Sequence, residues 1–167
     1  MSTIPQVALV GCGYWGKNLC RNFQAIGVLS TVVDATENGQ ATARSIAPDA
    51  QITDNLDDVL RDEHIQGIAL ATPAETHAEL AIQAMHAGKD VFVEKPMALT
   101  LGDAEKMKEV AEETGRILMV GHLLEYHPAV LKLREMIATG ELGKINYIYS
   151  NRLNFGKVRT EENALWS

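Results

Sequence analysis

Val7-Ala-Leu-Val10 followed by Gly11-Cys-Gly13-Tyr-Trp-Gly16 decides how the rest of the 167-residue chain is read. The four apolar residues read as a short strand, and the helical period from Tyr14 to Ile26 reads as a helix. Three glycines stand at the junction. Gly11 permits a tight turn, Gly13 lets the backbone approach a phosphate group, and Gly16 allows a helix to pack closely on a strand. A helix N-terminus placed there presents free N–H groups and the positive end of its dipole, so the junction is suited to hold an anion with backbone rather than with net charge.

Outward from this loop, apolar runs alternate with helical stretches. Leu29–Asp34, Ile68–Ala71, Val91–Val93 and Ile117–Val120 read as strands, and Thr36–Ala47, Ala74–Ala87 and Leu101–Thr114 as helices. A shorter helix is expected near Asn55–Leu60, with Asp54 as its cap. Strand and helix in regular alternation mark parallel strands, because parallel neighbours need a long return connection. The strand runs are continuously apolar, as expected of a sheet covered on both faces. Gly27, Gly67, Gly88 and Gly115 each precede a strand, where a left-handed helix cap is wanted. Residues 1–120 thus read as an α/β domain with a doubly wound parallel sheet.

The second strand ends in Asp34, 18 residues after Gly16. An acid there can accept hydrogen bonds from a ribose, which together with the glycine loop points to a dinucleotide. The alternative for Asp34 is a plain cap of the following helix. A 2′-phosphate would be repelled by the carboxylate, and no Arg or Lys follows before Arg44, so NAD is favoured over NADP.

Composition narrows the partners. Apolar residues make up 46% and charged residues 22%, and no segment reaches the roughly 18 uninterrupted apolar residues of a membrane helix. No export signal is visible before Val7, so a cytoplasmic protein is expected. The net charge of −7 is concentrated in residues 1–120, which hold 9 basic and 17 acidic side chains, and this argues against nucleic acid as a partner. If Cys12 and Cys20 lie on one straight loop-helix unit they are roughly 12 Å apart, too far for a disulfide. Without matching His or Cys spacings, no metal site is expected.

Beyond these features, Ala71-Thr-Pro-Ala-Glu-Thr-His77 and Ala87-Gly-Lys-Asp-Val-Phe-Val-Glu-Lys-Pro96 fall at strand ends, where ligands of open α/β folds collect. With the glycine loop, these segments resemble the Gfo/Idh/MocA family of sugar and cyclitol oxidoreductases. The resemblance implies a Rossmann sheet followed by a C-terminal α+β domain, with NAD as cofactor. It places Lys95 of the Glu94-Lys95-Pro96 motif beside the nicotinamide and the reacting substrate carbon. An ammonium there can orient a hydroxyl, stabilise a developing alkoxide or relay its proton. The plainer reading of Lys95 is a solvated lysine paired with Glu94.

Thr72 and Pro73 resemble the family's nicotinamide-side loop, and Pro73 suits the first turn of a helix. His77 matches a histidine common in these sequences, with a packing or capping role as the alternative. Tyr14 and Trp15 fill the variable pair of the glycine motif; Trp15 either flanks the cofactor or covers the sheet edge. A cis bond before Pro96 is a further expectation.

Residues 121–167 resemble the start of the family's substrate and oligomerisation domain. His122 and Tyr126 are candidate substrate contacts, or else a buried polar group and a core aromatic. A helix is expected over Ala129–Ala138 and a long strand over Ile145–Leu153, with the latter an exposed edge prone to swapping. The tail resembles members that oxidise UDP-linked N-acetylated sugar acids, so a sugar or nucleotide-sugar is the implied substrate and a homo-oligomer the implied assembly. In the family a catalytic histidine lies beyond the point where this chain stops, and the apolar end at Trp166 is read as truncation inside a second domain. The competing expectation is a non-catalytic NAD-binding module or sensor.

Overall fold

The computed structural model describes residues 4–151. Six parallel strands, β1 (Gln6–Val10), β2 (Leu29–Val33), β3 (Gln51–Thr53), β4 (Ile65–Leu70), β5 (Asp90–Val93) and β6 (Leu118–Val120), form one sheet in the order β3-β2-β1-β4-β5-β6. The connections carry α1 (Gly16–Ala25), α2 (Glu37–Ile46), α3 (Leu56–Arg61), α4 (His77–His86) and α5 (Leu101–Thr114). The sequence order reverses between β1 and β4, so the chain leaves their carboxyl ends in opposite directions and opens a crevice there. The doubly wound α/β architecture expected from the alternation is present.

Both faces of the sheet are dry. Ala8, Val10, Ile68, Leu70, Val91 and Val93 pack with Met85 of α4 and Met107 and Val110 of α5, while Leu9, Val32 and Ala69 pack with Cys20 of α1 and Ala43 of α2. Alternate residues of one strand thus serve opposite layers, which explains why the strands read as unbroken apolar runs.

Several boundaries differ from expectation for identifiable reasons. β3 was not foreseen, because three residues with one apolar side chain carry no periodic signal. β4 begins at Ile65, three residues before the apolar run; Gln66 hides the start, and its Oε1 accepts the Gln6 N–H at 2.6 Å. Gly67 therefore lies inside β4, in register with Val7 and Asp90, and is not a helix cap, whereas Gly27, Gly88 and Gly115 do have positive φ. α1 starts at Gly16 rather than Tyr14. Asn55, not Asp54, caps α3, its side chain accepting from Asp57 N–H at 3.1 Å. The stretch expected as one helix over Ala74–Ala87 is a 3₁₀ turn at Ala74–Thr76 followed by α4.

The cysteines also depart from the straight-helix estimate. Gly11, at φ +90°, turns the chain so that Cys12 folds back rather than extending the α1 axis. The two buried thiols meet, Cys12 hydrogen-bonding to Cys20, and this bond together with burial pushes the Cys12 thiol up.

Two further internal ties concern the crevice only indirectly. Lys89, 5% exposed, donates from Nζ to the carbonyls of Asp62 (2.6 Å) and Ile65 (2.9 Å), and Asp90 Oδ1 accepts the Ile117 N–H at 3.0 Å.

A second compact unit begins at His122. It holds a 3₁₀ turn at Leu123–Tyr126 and α6 (Pro128–Ala138), capped by His127 Nδ1 accepting from Ala129 N–H. An exposed ion pair joins Arg134 to Glu125 at 2.8 Å. The strand expected over Ile145–Leu153 is not formed at residues 145–151, and its last two residues lie outside those described. A strand requires a partner, and among the described residues none is paired with this segment. No helix among the described residues is long and apolar enough to cross a membrane.

Leu70 is fully buried in a central strand. Leu70→Ala should cost about 2–5 kcal/mol of stability. In urea this appears as a lower midpoint at an unchanged slope.

Candidate functional site

The crevice at the carboxyl ends of β1 and β4 is set by contacts too close for side chains. A Cβ on Gly11 would stand 2.9 Å from the Ala71 backbone carbonyl, and one on Gly16 would run into the carbonyl oxygen of Gly11. The loop after β1 is thereby pressed against the loop after β4. Gly13, in contrast, is exposed and faces open space on its Cβ side.

α1 differs from its neighbours at its N-terminus. Thr36, Asn55 and Thr100 cap α2, α3 and α5 with side-chain oxygens; α1, with Trp15 at the cap position, and α4 have no side-chain cap, but α4 carries Glu79 in its first turn and α1 carries no acid there. Such an end keeps donors and a positive dipole available to an anion.

Asp34 stands beside this loop, 9% exposed. Its Oδ2 accepts the Cys12 N–H at 2.6 Å, and its Oδ1 accepts from Thr36 N–H (2.9 Å) and Thr36 Oγ1 (2.7 Å). Burial alone pushes this carboxyl up, but the hydrogen bonds from Cys12 and Thr36 outweigh it and hold the carboxyl below its ordinary value. Asp34 is therefore more than a helix cap, since it fastens the glycine loop to the end of β2. Thr36 and Gly39 were missed in the sequence. Thr36 orients the carboxylate while capping α2 through the Gly39 N–H, and a Cβ on Gly39 would run into the Asp34 carboxyl group. The Thr-x-x-Gly spacing after the acid is the signal that could have found them.

The loops after β4 and β5 carry the other candidates. Lys95 is exposed, and its Nζ makes no hydrogen bond or ion pair among the described residues, so the lysine is not paired with Glu94. Glu94 is 6% exposed and accepts the Trp15 Nε1–H at 2.7 Å on Oε1 and the Lys95 N–H at 3.3 Å on Oε2. Gly121 closes the other side, where a Cβ would come within 3.1 Å of the carboxyl group. Lys95 and Pro96 are joined by a cis peptide bond.

Thr72 shares a 2.7 Å hydrogen bond with Thr76, whose hydroxyl donates to the Pro73 carbonyl. Pro73 precedes the 3₁₀ turn and is exposed. His77 does not open onto the crevice. It is 1% exposed, with Nδ1 2.8 Å from the Pro96 carbonyl and Nε2 2.9 Å from the Thr72 carbonyl, so it contacts the two loops rather than a ligand.

Trp15 is exposed, and so is Tyr14, which has the Lys17 ammonium 5.5 Å from its ring centre. His122 and Tyr126 lie in the second unit, both exposed, so Tyr126 is not a core aromatic and His122 is not buried. Among the described residues no three His, Cys, Asp or Glu side chains gather as a metal would require.

An uncapped helix end, an open glycine, an acid beside them and an unpaired lysine at the next strand ends fit a dinucleotide laid across the sheet. Residues 6–122 match the model of the Gfo/Idh/MocA oxidoreductase family, described as an NAD-binding Rossmann fold. The chain belongs to that family. It is 34% identical over 146 residues to 2,7-anhydro-N-acetylneuraminate hydratase of Mediterraneibacter gnavus, covering 87% of this chain and 38% of that protein. It is 31% identical over 144 residues to scyllo-inositol 2-dehydrogenase (NAD(+)) of Bacillus subtilis, covering 84% and 42%. Among solved structures, GenD2 from gentamicin A biosynthesis, in complex with NAD, superposes with a TM-score of 0.77 at 32% identity, covering 84% of this chain and 41% of GenD2. The chain thus spans about two fifths of the length of these Gfo/Idh/MocA relatives.

The depressed Asp34 carboxyl has a pH signature. A carboxyl held below its unfolded value, about 3.9 for Asp, stabilises the fold above that pH and loses this contribution as pH falls through the folded value. The stability gap between wild type and Asp34→Asn should therefore be full at neutral pH and close as pH drops below about 4. Urea midpoints measured across that range check it.

Proposed function

We propose that this chain is the cofactor-binding part of an NAD-dependent dehydrogenase acting on a sugar or polyol hydroxyl. The observation that carries the reading is Lys95, exposed at the end of β5 and without a side-chain partner among the described residues, with β4 lying between its strand and β1, from which α1 starts. Backbone donors of Gly13 and of the turn that enters α1 hold the pyrophosphate, and Asp34 faces the adenosine ribose. Thr72 and Pro73 line the nicotinamide side. Bound NAD supplies the hydride acceptor. Lys95 holds the substrate hydroxyl, stabilises the developing alkoxide and relays the departing proton to solvent.

The acid at position 34 favours NAD over NADP, since a 2′-phosphate would meet a carboxylate whose charge is stabilised by Cys12 and Thr36. A nucleotide-sugar is the finer substrate proposal. It draws support from the likeness of the tail, from His122 and Tyr126 as substrate contacts in the second unit, and from the sugar-acid name of the Mediterraneibacter gnavus relative. A soluble, cytoplasmic homo-oligomer is the assembly we propose for the whole protein.

Calorimetric titration of the 167-residue chain with NADH and with NADPH tests the reading. NADH should bind and NADPH should bind at least about tenfold more weakly, a difference of about 1.4 kcal/mol. Lys95→Ala should leave NADH binding in place while removing hydride transfer in a full-length relative carrying the same substitution. Failure of both nucleotides to bind would overturn the proposal.

A further inference from the structure

Among the described residues Lys95 has no side-chain partner, yet the backbone on each side of it is tied down by residues remote in sequence. On the N-terminal side, Glu94 accepts the indole N–H of Trp15, 79 residues earlier, at 2.7 Å. On the C-terminal side, the Pro96 carbonyl lies 2.8 Å from His77 Nδ1, and the same ring reaches the Thr72 carbonyl. The Lys95 N–H itself points back to Glu94 Oε2 at 3.3 Å.

We infer that Trp15, Glu94 and His77 are positioning residues that clamp the Lys95 turn from both sides and tie it to the phosphate-holding loop. The inference rests on the dinucleotide reading of that loop, but the clamp itself is a property of the free protein.

The Glu94 carboxylate is the centre of the device. It is nearly fully buried, no cation lies against it among the described residues, and its short bond comes from Trp15. A buried carboxylate deprived of its donor retains the full cost of its desolvation. Gly121 blocks retreat on one side, because even a methyl group there would crowd the carboxyl. Glu94 therefore keeps the indole in place and the indole keeps Glu94 in place. Trp15 also occupies the cap position of α1. Any shift of the helix end on taking up a pyrophosphate is thus transmitted through the indole and Glu94 to the amide of Lys95. His77 provides the opposite restraint, its buried ring wedged between the Pro96 and Thr72 carbonyls and donating its N–H to one of them, so that the turn does not follow as a loose loop. The loops after β1, β4 and β5 meet around one lysine through three side chains, none of which needs to touch substrate.

Amide and indole resonances of the ¹⁵N-labelled 167-residue chain test this. In wild type the Trp15 indole N–H should exchange with solvent at least roughly tenfold more slowly than in Glu94→Ala, the factor a hydrogen bond to a charged acceptor carries. Glu94→Gln, which keeps an acceptor oxygen, should restore the protection. Trp15→Phe should move the Lys95 amide resonance and abolish its response to added NADH, while amides of Gly11 and Gly13 still respond. An unprotected indole in wild type, or a Lys95 resonance unmoved by Trp15→Phe, would overturn the clamp. If Trp15→Phe does not fold, the contrast between Glu94→Ala and Glu94→Gln decides. A wild-type spectrum in which NADH perturbs neither Gly11 nor Gly13 would instead defeat the dinucleotide reading, and the free-protein spectra would still judge the clamp.

Discussion

The carbonyl oxygen of Gly11 occupies the space that a side chain on residue 16 would need. That close approach brings the first turn of α1 down onto the end of β1. A similar constraint holds Gly11 against the backbone of Ala71. The helix end, the β1 loop and the β4 loop are consequently packed as one body, and the crevice between them inherits its shape from backbone rather than from movable side chains. A larger residue at either glycine would separate the helix dipole from the strand ends it serves.

Much of this was legible in the sequence because local signals agreed with the global arrangement. Val7–Val10 and the following glycines announced a strand, a turn and a helix, and α5 was readable to the residue from Leu101 to Thr114. Legibility failed where an element was too short to show a period, as in β3, or where a polar residue masked an apolar run, as Gln66 does in β4. It failed again wherever orientation mattered. His77 was visible as a histidine one turn past Pro73, but the 3₁₀ turn at Ala74–Thr76 changes the phase of the helix and directs the ring inward between two carbonyls. The partnership of Trp15 with Glu94 spans 79 residues and has no local trace.

Membership of the Gfo/Idh/MocA family locates the shared part of the chemistry. The relatives described above include a hydratase and a dehydrogenase, matched over 146 and 144 residues respectively. The family match over residues 6–122 takes in the sheet, the glycine loop and the turn bearing Lys95.

Asp34 has a bearing on protein engineering. Its carboxylate anchors Cys12, orients Thr36 and fills the niche left by Gly39. Replacing it with a small neutral residue to admit a phosphorylated cofactor would release the loop that must grip the pyrophosphate. A redesign for NADP would do better to keep Asp34 and recruit a cation beyond Thr36, so that recognition of the extra phosphate is added without removing the loop's anchor.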